Sequence, residues 1–199
     1  MAVGAEGRTR CGWAVALAFL LVSASQAAPA SDEMDRVMAA LAQRKHGHVT
    51  FTEQKFIALL ERPVASSGEL LYDAPDRLEK RTLEPKAESL VLQGGVVTAK
   101  RGRRTYVLDL QQYPQILPFI ESIRATLAGD RAALERVFQI EFNGSYSDWT
   151  LELAPHDAQL AGTVRQIRIE GAQDRIRSVQ IRQADGDRSV LTIGTELNP

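Results

Sequence analysis

The sequence predicts a mainly β protein with some α-helix, in which one antiparallel sheet curves around a few helices. Most of the chain divides into short segments where apolar and polar residues alternate, which is typical of strands with one buried face. Clusters of glycine, proline and asparagine separate these segments, and only about three segments have a helical period. A large sheet with one apolar face must curl or be covered. We therefore expect about eleven strands wrapped around helices.

The first 30 residues are predicted to be a secretory signal peptide, so that residues 31–199 form a single domain. Arg8 and Arg10 precede an apolar run, Gly12 to Val22, which is too short to span a bilayer. Small residues follow this run and offer cleavage sites. A membrane anchor is the alternative interpretation. The only cysteine, Cys11, lies before the apolar run, so we expect neither a lipid anchor nor a disulfide in the mature chain.

Charge is balanced, with 24 Lys and Arg residues against 25 Asp and Glu residues and a formal net charge of −1. Proteins that bind nucleic acids usually carry a strongly basic face. We therefore expect no nucleic-acid partner.

The mature chain is predicted to open with a helix from Ser31 to Lys45 and then three strands. Ser31 or Asp32 can cap the helix, which has acidic residues near its start and one apolar stripe, formed by Met34, Val37, Met38 and Leu41. Alternating apolar residues predict a first strand that contains Val49, Phe51, Ile57 and Leu59. Pro63 and the Ser66-Ser67-Gly68 cluster are expected to break the run. The next strands are Glu69 to Asp73 and Arg77 to Leu83.

The following segment predicts a hairpin and one more strand. Ser89 to Leu92 and Val96 to Lys100 flank a Gly-Gly turn, and Arg103 to Leu110 follows. A basic cluster stands at the start of this last strand and comprises Lys100, Arg101, Arg103 and Arg104. The cluster is either a solvated turn or a docking patch for an acidic partner or an anionic lipid head group.

Two helices are predicted between Tyr113 and Phe138. Pro114 and Pro118 suit a helix start. The apolar residues that repeat at helical spacing are Ile116, Ile120, Ile123 and Leu127. Gly129 is expected to end the first helix and Asp130 to cap the second, which carries Leu134, Val137 and Phe138.

The last third of the chain is predicted to be five strands. Turn signals at Asn143-Gly144, Gly171 and Asp185-Gly186 help to delimit them. The predicted strands are Gln139 to Asn143, Asp148 to Leu153, Val164 to Glu170, Arg175 to Gln183 and Arg188 to Ile193.

The opening strands carry motifs that resemble a known family. Phe51-x-Glu53, Gly68-x-Leu70-x-Tyr72 and Pro75-Asp76-x-Leu78 follow the order and spacing of F-x-Q, G-x-L-x-[WYF] and R-P-x-x-[FL] in LolA-type periplasmic lipoprotein carriers. The chain resembles a divergent branch of that family. Ala74 stands where the family has an arginine that helps to hold its lid, and Glu53 stands where glutamine is usual.

The resemblance implies an incomplete antiparallel β-barrel, closed by helices around an apolar cavity, with the segment from Tyr113 to Asp130 as its lid. It implies a soluble, monomeric carrier, or chaperone, in the periplasm of a Gram-negative bacterium, without cofactor, metal or catalytic activity. Such a carrier takes the acyl chains of a lipoprotein or lipid from an inner-membrane exporter to an outer-membrane acceptor. The residues expected to line the lipid-binding cavity are Phe51, Leu70, Tyr72, Leu78, Tyr106, Leu108, Ile120, Ile123, Leu127, Phe142, Trp149, Leu151, Ile169 and Ile181.

Other interpretations stay open. Helical periodicity does not distinguish helices that close a cavity from helices that only fill the core. A LolA-like domain could instead sense a ligand and regulate a membrane partner. The departure at Ala74 leaves a glycolipid or a pigment lipid as a rival cargo to lipoproteins.

Candidate catalytic and metal-binding residues are few. His46 and His48 could bind a metal but have no nearby third ligand in the sequence, and zinc sites need three or four ligands. His156 lies in a predicted turn, and the chain has no G-x-S-x-G elbow for a hydrolase. The Asp185-Gly186-Asp187 segment is too short for a calcium loop. An unrecognised hydrolase is therefore the weakest of the three functional hypotheses.

Overall fold

The protein folds as one antiparallel sheet of 11 strands with helices on one of its faces. The computed structural model describes residues 30–113 and 117–197, so the predicted signal peptide lies outside the described residues except for Ala30. The α-helices are α1 (Ala30–Gln43), α2 (Leu117–Ala128), α3 (Arg131–Val137) and α4 (Ala158–Ala161). The strands are β1 (His46–Phe56), β2 (Val64–Asp73), β3 (Arg77–Glu84), β4 (Glu88–Gln93), β5 (Val96–Arg101), β6 (Arg104–Asp109), β7 (Phe138–Ser145), β8 (Asp148–Pro155), β9 (Val164–Ala172), β10 (Arg175–Gln183) and β11 (Arg188–Glu196).

The strand order explains why helices cover the sheet. The order is β6-β5-β4-β3-β2-β1-β11-β10-β9-β8-β7, so two meanders meet where β1 pairs with β11. Strands β6 and β7 are consecutive in the chain but lie at opposite edges of the sheet. The segment between them, which contains α2 and α3, must therefore pass from one edge to the other. Because the edge strands do not pair with each other, the barrel is incomplete, and the predicted fold class and strand number are confirmed.

Two separate hydrophobic cores form on the helix-covered face, which we call the inner face. The larger core joins the apolar stripe of α1 and Leu134 of α3 to strands β7, β8 and β9. The smaller core contains Leu92, Val97 and Leu110, with Leu117 and Ile120 of α2 packed against it. The inner residues of the central strands lie between these two cores.

At the junction of α2 and α3, the predicted roles of Gly129 and Asp130 are confirmed. Asp130 accepts a hydrogen bond from the backbone N–H of Ala133 at 2.9 Å and so caps α3. Gly129 has a φ of 64°, which a side chain disfavours, and an added Cβ would lie 2.0 Å from the carbonyl oxygen of Met38 in α1. Glycine is therefore required both by the turn and by the close approach of α1.

The opening strands differ from their prediction in two ways. The first strand ends at Phe56, so Ile57 and Leu59 lie in the connecting turn, where Leu59 is 95% exposed. The second strand begins at Val64 and includes the Ser-Ser-Gly cluster that was expected to separate it from the first strand. Gly68 belongs in the strand because a Cβ there would lie 2.0 Å from the carbonyl oxygen of Arg81 on β3. Close strand approach, not a turn, accounts for this glycine.

Three other boundaries were wrong. Phe138 begins β7 instead of ending α3, and Gly144 lies within that strand. Gly171 lies within β9, where an added Cβ would come within 2.1 Å of the Trp149 indole. The short helix α4, capped by Asp157, was not predicted.

Ion pairs cover the outer face of the sheet. Glu79 on β3 accepts hydrogen bonds from Arg77 at 2.7 Å and from Arg81 at 3.0 Å, and Ser89 on β4 also donates to it. Burial acts to raise the pKa of Glu79, but these hydrogen bonds outweigh it, and the pKa is lowered from its ordinary value. This carboxylate is therefore held ionised against the sheet at neutral pH.

Candidate functional site

A cavity of about 610 Å³ lies between the two cores, along the inner face of the central strands. Its wall comes from both halves of the sheet and its cover from α2, which supplies Ile120, Ile123 and Leu127. The volume falls within the range of about 300–1,000 Å³ that is typical of small-molecule sites. The apolar residues that line it on the central strands are Val49, Leu70, Val179, Ile181, Leu191 and Ile193.

Strand pairing brings these apolar residues together. Val49 lies opposite Leu70, and Leu191 lies opposite Val179, which in turn lies opposite Ile169. Residues directly opposite each other in an antiparallel pair share one face. The apolar wall therefore runs across β2, β1, β11, β10 and β9.

The helices cover this wall incompletely. Inner residues beneath α1, such as Leu151 and Leu153, are fully buried, whereas Leu191 and Val179 of the central strands are only half-buried. Leu117 and Ile120 of α2 pack against the smaller core. α2 also contributes Ala125 to the larger core, so it bridges the two cores. Val179 packs against the larger core and, like Leu191, also lines the cavity.

One part of the cavity wall is charged. Glu53 on β1 has only 8% of its side chain exposed and accepts a hydrogen bond from the Lys80 ammonium at 2.5 Å. The Ser66 hydroxyl donates to the same carboxylate at 3.3 Å, and Lys55 Nζ lies 3.8 Å from it. The Lys80 ammonium also lies 4.9 Å from the centre of the Phe51 ring. Two cations and one anion therefore meet at this place.

A second group of charges lies at the opposite end of the cavity, where α1 ends. Arg44 contacts Asp174 at 2.9 Å and Glu196 at 2.7 Å, and Arg175 contacts Glu196 at 3.2 Å. Two cations and two anions neutralise each other here. These contacts also join the end of α1 to the turn between β9 and β10 and to strand β11.

Tyr72 contributes a phenol to the cavity. Burial raises the pKa of Tyr72 and the nearby Arg124 guanidinium partly opposes that rise. The phenol therefore stays neutral at physiological pH. Arg124 itself donates to Glu121 on the same helix at 2.9 Å, while its Nε is buried without a hydrogen-bond partner among the described residues.

The comparison with protein families gives this architecture a context. Residues 26–196 match the family described as outer membrane lipoprotein carrier protein LolA-like. The chain belongs to this LolA-like family. The resemblance seen in the opening motifs is thus confirmed over most of the chain. No curated protein sequence matches the chain.

Solved structures similar to this LolA-like protein are distant in sequence. A LolA superfamily protein from Nitrosomonas europaea is 11% identical with a TM-score of 0.47, and the match covers 87% of this chain and 95% of that one. A putative outer membrane lipoprotein-sorting protein domain from Vibrio parahaemolyticus is 10% identical with a TM-score of 0.44, with coverages of 85% and 93%. The Pseudomonas aeruginosa MucA/MucB complex gives 14% identity and a TM-score of 0.45, with coverages of 84% and 56%. The family assignment rests on the sequence match.

The structure places 8 of the 14 residues expected to line the cavity on its wall. Their ability to bind lipid remains a prediction. The eight are Leu70, Tyr72, Leu78, Ile120, Ile123, Leu127, Ile169 and Ile181.

The other six are not among the residues that line this cavity. Trp149, Leu151 and Phe142 belong to the larger core beneath α1, and Leu108 packs against the smaller core. Phe51 is on the inner face but fully buried, and Tyr106 on edge strand β6 is 49% exposed. Alternation assigns a side chain to a face of the sheet, but not to the part of that face that a helix covers.

Sequence reasoning missed several lining residues, among them Val49, Val179, Leu191 and Ile193. All four follow the same alternation as the residues that were chosen, so the signal was present. The ion pair of Glu53 with Lys80 was also missed. Glu53 stands two residues after inward-facing Phe51, and this spacing could have placed its carboxylate inside the sheet.

The remaining polar candidates lie outside the cavity or at its rim. His46 pairs with Asp73 at 3.0 Å and His48 with Glu69 at 3.1 Å. In the part of the chain that the structure describes, no three metal-binding side chains come together, and no helix is long and apolar enough to cross a membrane. The basic cluster between β5 and β6 is exposed, with Arg101 paired to Glu88. Pro114 and Ile116, predicted at the start of α2, lie outside the described residues.

Proposed function

We propose that this protein is a periplasmic carrier that holds the acyl chains of a lipoprotein or other lipid in its cavity and moves them from the inner to the outer membrane. The observation that carries the proposal is the apolar cavity between two separately packed cores. Membership of the LolA-like family supports it. The exporter that loads the protein and the acceptor that unloads it are part of the same proposal.

The physical argument concerns the cost of exposing an acyl chain to water. Burying one methylene group is worth roughly 0.8 kcal/mol, so a sixteen-carbon chain resists leaving a membrane by about 13 kcal/mol. A carrier must supply a comparable apolar interior. Half-buried residues such as Val179 and Leu191 provide an apolar surface for the acyl chain, and neither core has to unfold to expose them.

The proposal is tested by filling the cavity. Val179→Trp places an indole in the space that an acyl chain would occupy, while Val107→Trp makes the same substitution at a position that is 67% exposed. Titration with a fluorescent fatty-acid probe should show at least about tenfold weaker binding for Val179→Trp, because the acyl chain loses several methylene contacts. Val107→Trp should bind as the unaltered protein does. Equal affinity of both folded variants would count against an acyl-binding cavity.

Mass spectrometry identifies the cargo. Protein isolated from the periplasm under native conditions should carry stoichiometric lipid or lipoprotein, and the spectrum separates a lipoprotein from a glycolipid or pigment lipid. N-terminal sequencing of the same material checks the predicted removal of the signal peptide. Protein recovered free of lipid from cells that produce it at native level would contradict the carrier proposal.

A further inference from the structure

The charged part of the cavity wall is unusual for a site that takes hydrocarbon alone. Glu53 and Lys80 both line the cavity, with side-chain exposures of 8% and 25%. Charged groups are costly beside hydrocarbon unless they are paired and hydrogen-bonded. A purely apolar cargo would place its alkyl chain against the Lys80 ammonium group. This arrangement favours a cargo that has a polar group at this end of the cavity.

The charges at this place do not balance. Lys80, Lys55 and Ser66 all approach one oxygen of Glu53, so two cations share a single carboxylate. An ammonium group has three N–H donors, and the hydrogen bond to Glu53 uses one of those of Lys80. At the opposite end of the cavity the arginines and carboxylates neutralise each other. Glu79, which also lines the cavity, is already paired with Arg77 and Arg81, so it does not neutralise the surplus positive charge at the Lys80 end.

We propose that Lys80 binds an anionic head group of the cargo, a carboxylate or a phosphate, while the alkyl chain extends along the apolar wall. This inference rests on the proposed carrier function and adds a preference for anionic amphiphiles. Glu53 orients the Lys80 ammonium and also competes with the head group for it. Lys55 lies nearer to solvent and supplies part of the positive charge.

The experiment compares three probes that share one alkyl chain: dodecanoate, dodecyl phosphate and neutral dodecanol, each titrated at neutral pH by calorimetry. The unaltered protein should bind the anions at least about tenfold more tightly than dodecanol, because a charge-assisted hydrogen bond strengthens binding by about that factor. The two anions separate a carboxylate head group from a phosphate. Lys80→Met should remove the preference by weakening the binding of the anions, and dodecanol should not be weakened, because a thioether is no worse a neighbour for an alkyl chain than an ammonium group. Lys100→Met, an exposed lysine on β5, is the matched control and should alter neither.

The possible outcomes separate this inference from the proposed function. Glu53→Gln should increase the preference for anions, because the competing carboxylate is gone. If the unaltered protein binds dodecanol and the anions equally, or if Lys80→Met weakens all three alike, the head-group site is overturned while the carrier function stands. If no probe binds, both proposals fail. The measurement on the unaltered protein decides the matter even if the variants do not fold.

Discussion

Two leucine-to-alanine substitutions on the same face of the sheet test whether the cavity is open space. Leu151 on β8 is 1% exposed within the larger core, whereas Leu191 on β11 lines the cavity. Leu151→Ala should lower the free energy of unfolding by about 3 kcal/mol, because replacing a buried leucine with alanine loses both its transfer free energy and its packing contacts. Leu191→Ala should cost roughly 1 kcal/mol, because part of its side chain already faces the void.

Thermal unfolding measures the difference. In a domain of this size 1 kcal/mol corresponds to a shift of about 2–4 °C in Tm, so we expect falls of roughly 9 °C for Leu151→Ala and roughly 3 °C for Leu191→Ala. Circular dichroism melts and urea titrations of the two variants should agree on the order. Binding of a fatty-acid probe should persist in Leu191→Ala, which enlarges the cavity. Equal losses of stability would refute the reasoning, because they would mean that Leu191 is packed as tightly as Leu151.

Three further predictions concern the lid, a close contact and acid stability. A disulfide between cysteines placed at Ile120 on α2 and Leu92 on β4, which share the smaller core, should block lipid uptake and release until reduced. Unchanged lipid transfer by the oxidised form would show that α2 does not gate the cavity. Gly171→Ala should cost about 2 kcal/mol, because an added Cβ meets the indole ring at 2.1 Å, while Gly47→Ala meets nothing within 4 Å and should be neutral in urea unfolding. The lowered pKa of Glu79 contributes stability that is present above the ordinary glutamate pKa of about 4.3 and is lost as pH falls through the folded-state pKa. Glu79→Gln should therefore flatten the acid side of the stability curve, and an unchanged pH dependence would argue against this contribution.

The sequence alone determined the local features of the fold. Period-two alternation indicated the strands and their number, and Gly129 with Asp130 marked the junction of two helices. These signals depend on residues close together in the chain, so they can be read without the tertiary structure. The family motifs between β1 and the start of β3 pointed to the same architecture, and the match over residues 26–196 confirmed the family.

Tertiary structure decided which inward-facing residues are core and which line a cavity. Leu151 and Leu191 follow the same alternation, yet only Leu151 lies beneath α1. The sequence suggested that Gly68 and Gly171 were turn residues. They are glycines because the backbone of β3 and the Trp149 indole, respectively, leave no room for a side chain. The meeting of Lys80 with Glu53 joins residues 27 positions apart. Alternation sets the face of the sheet on which a side chain lies. Whether a helix covers that part of the face depends on segments far away in the sequence, so no local pattern predicts it.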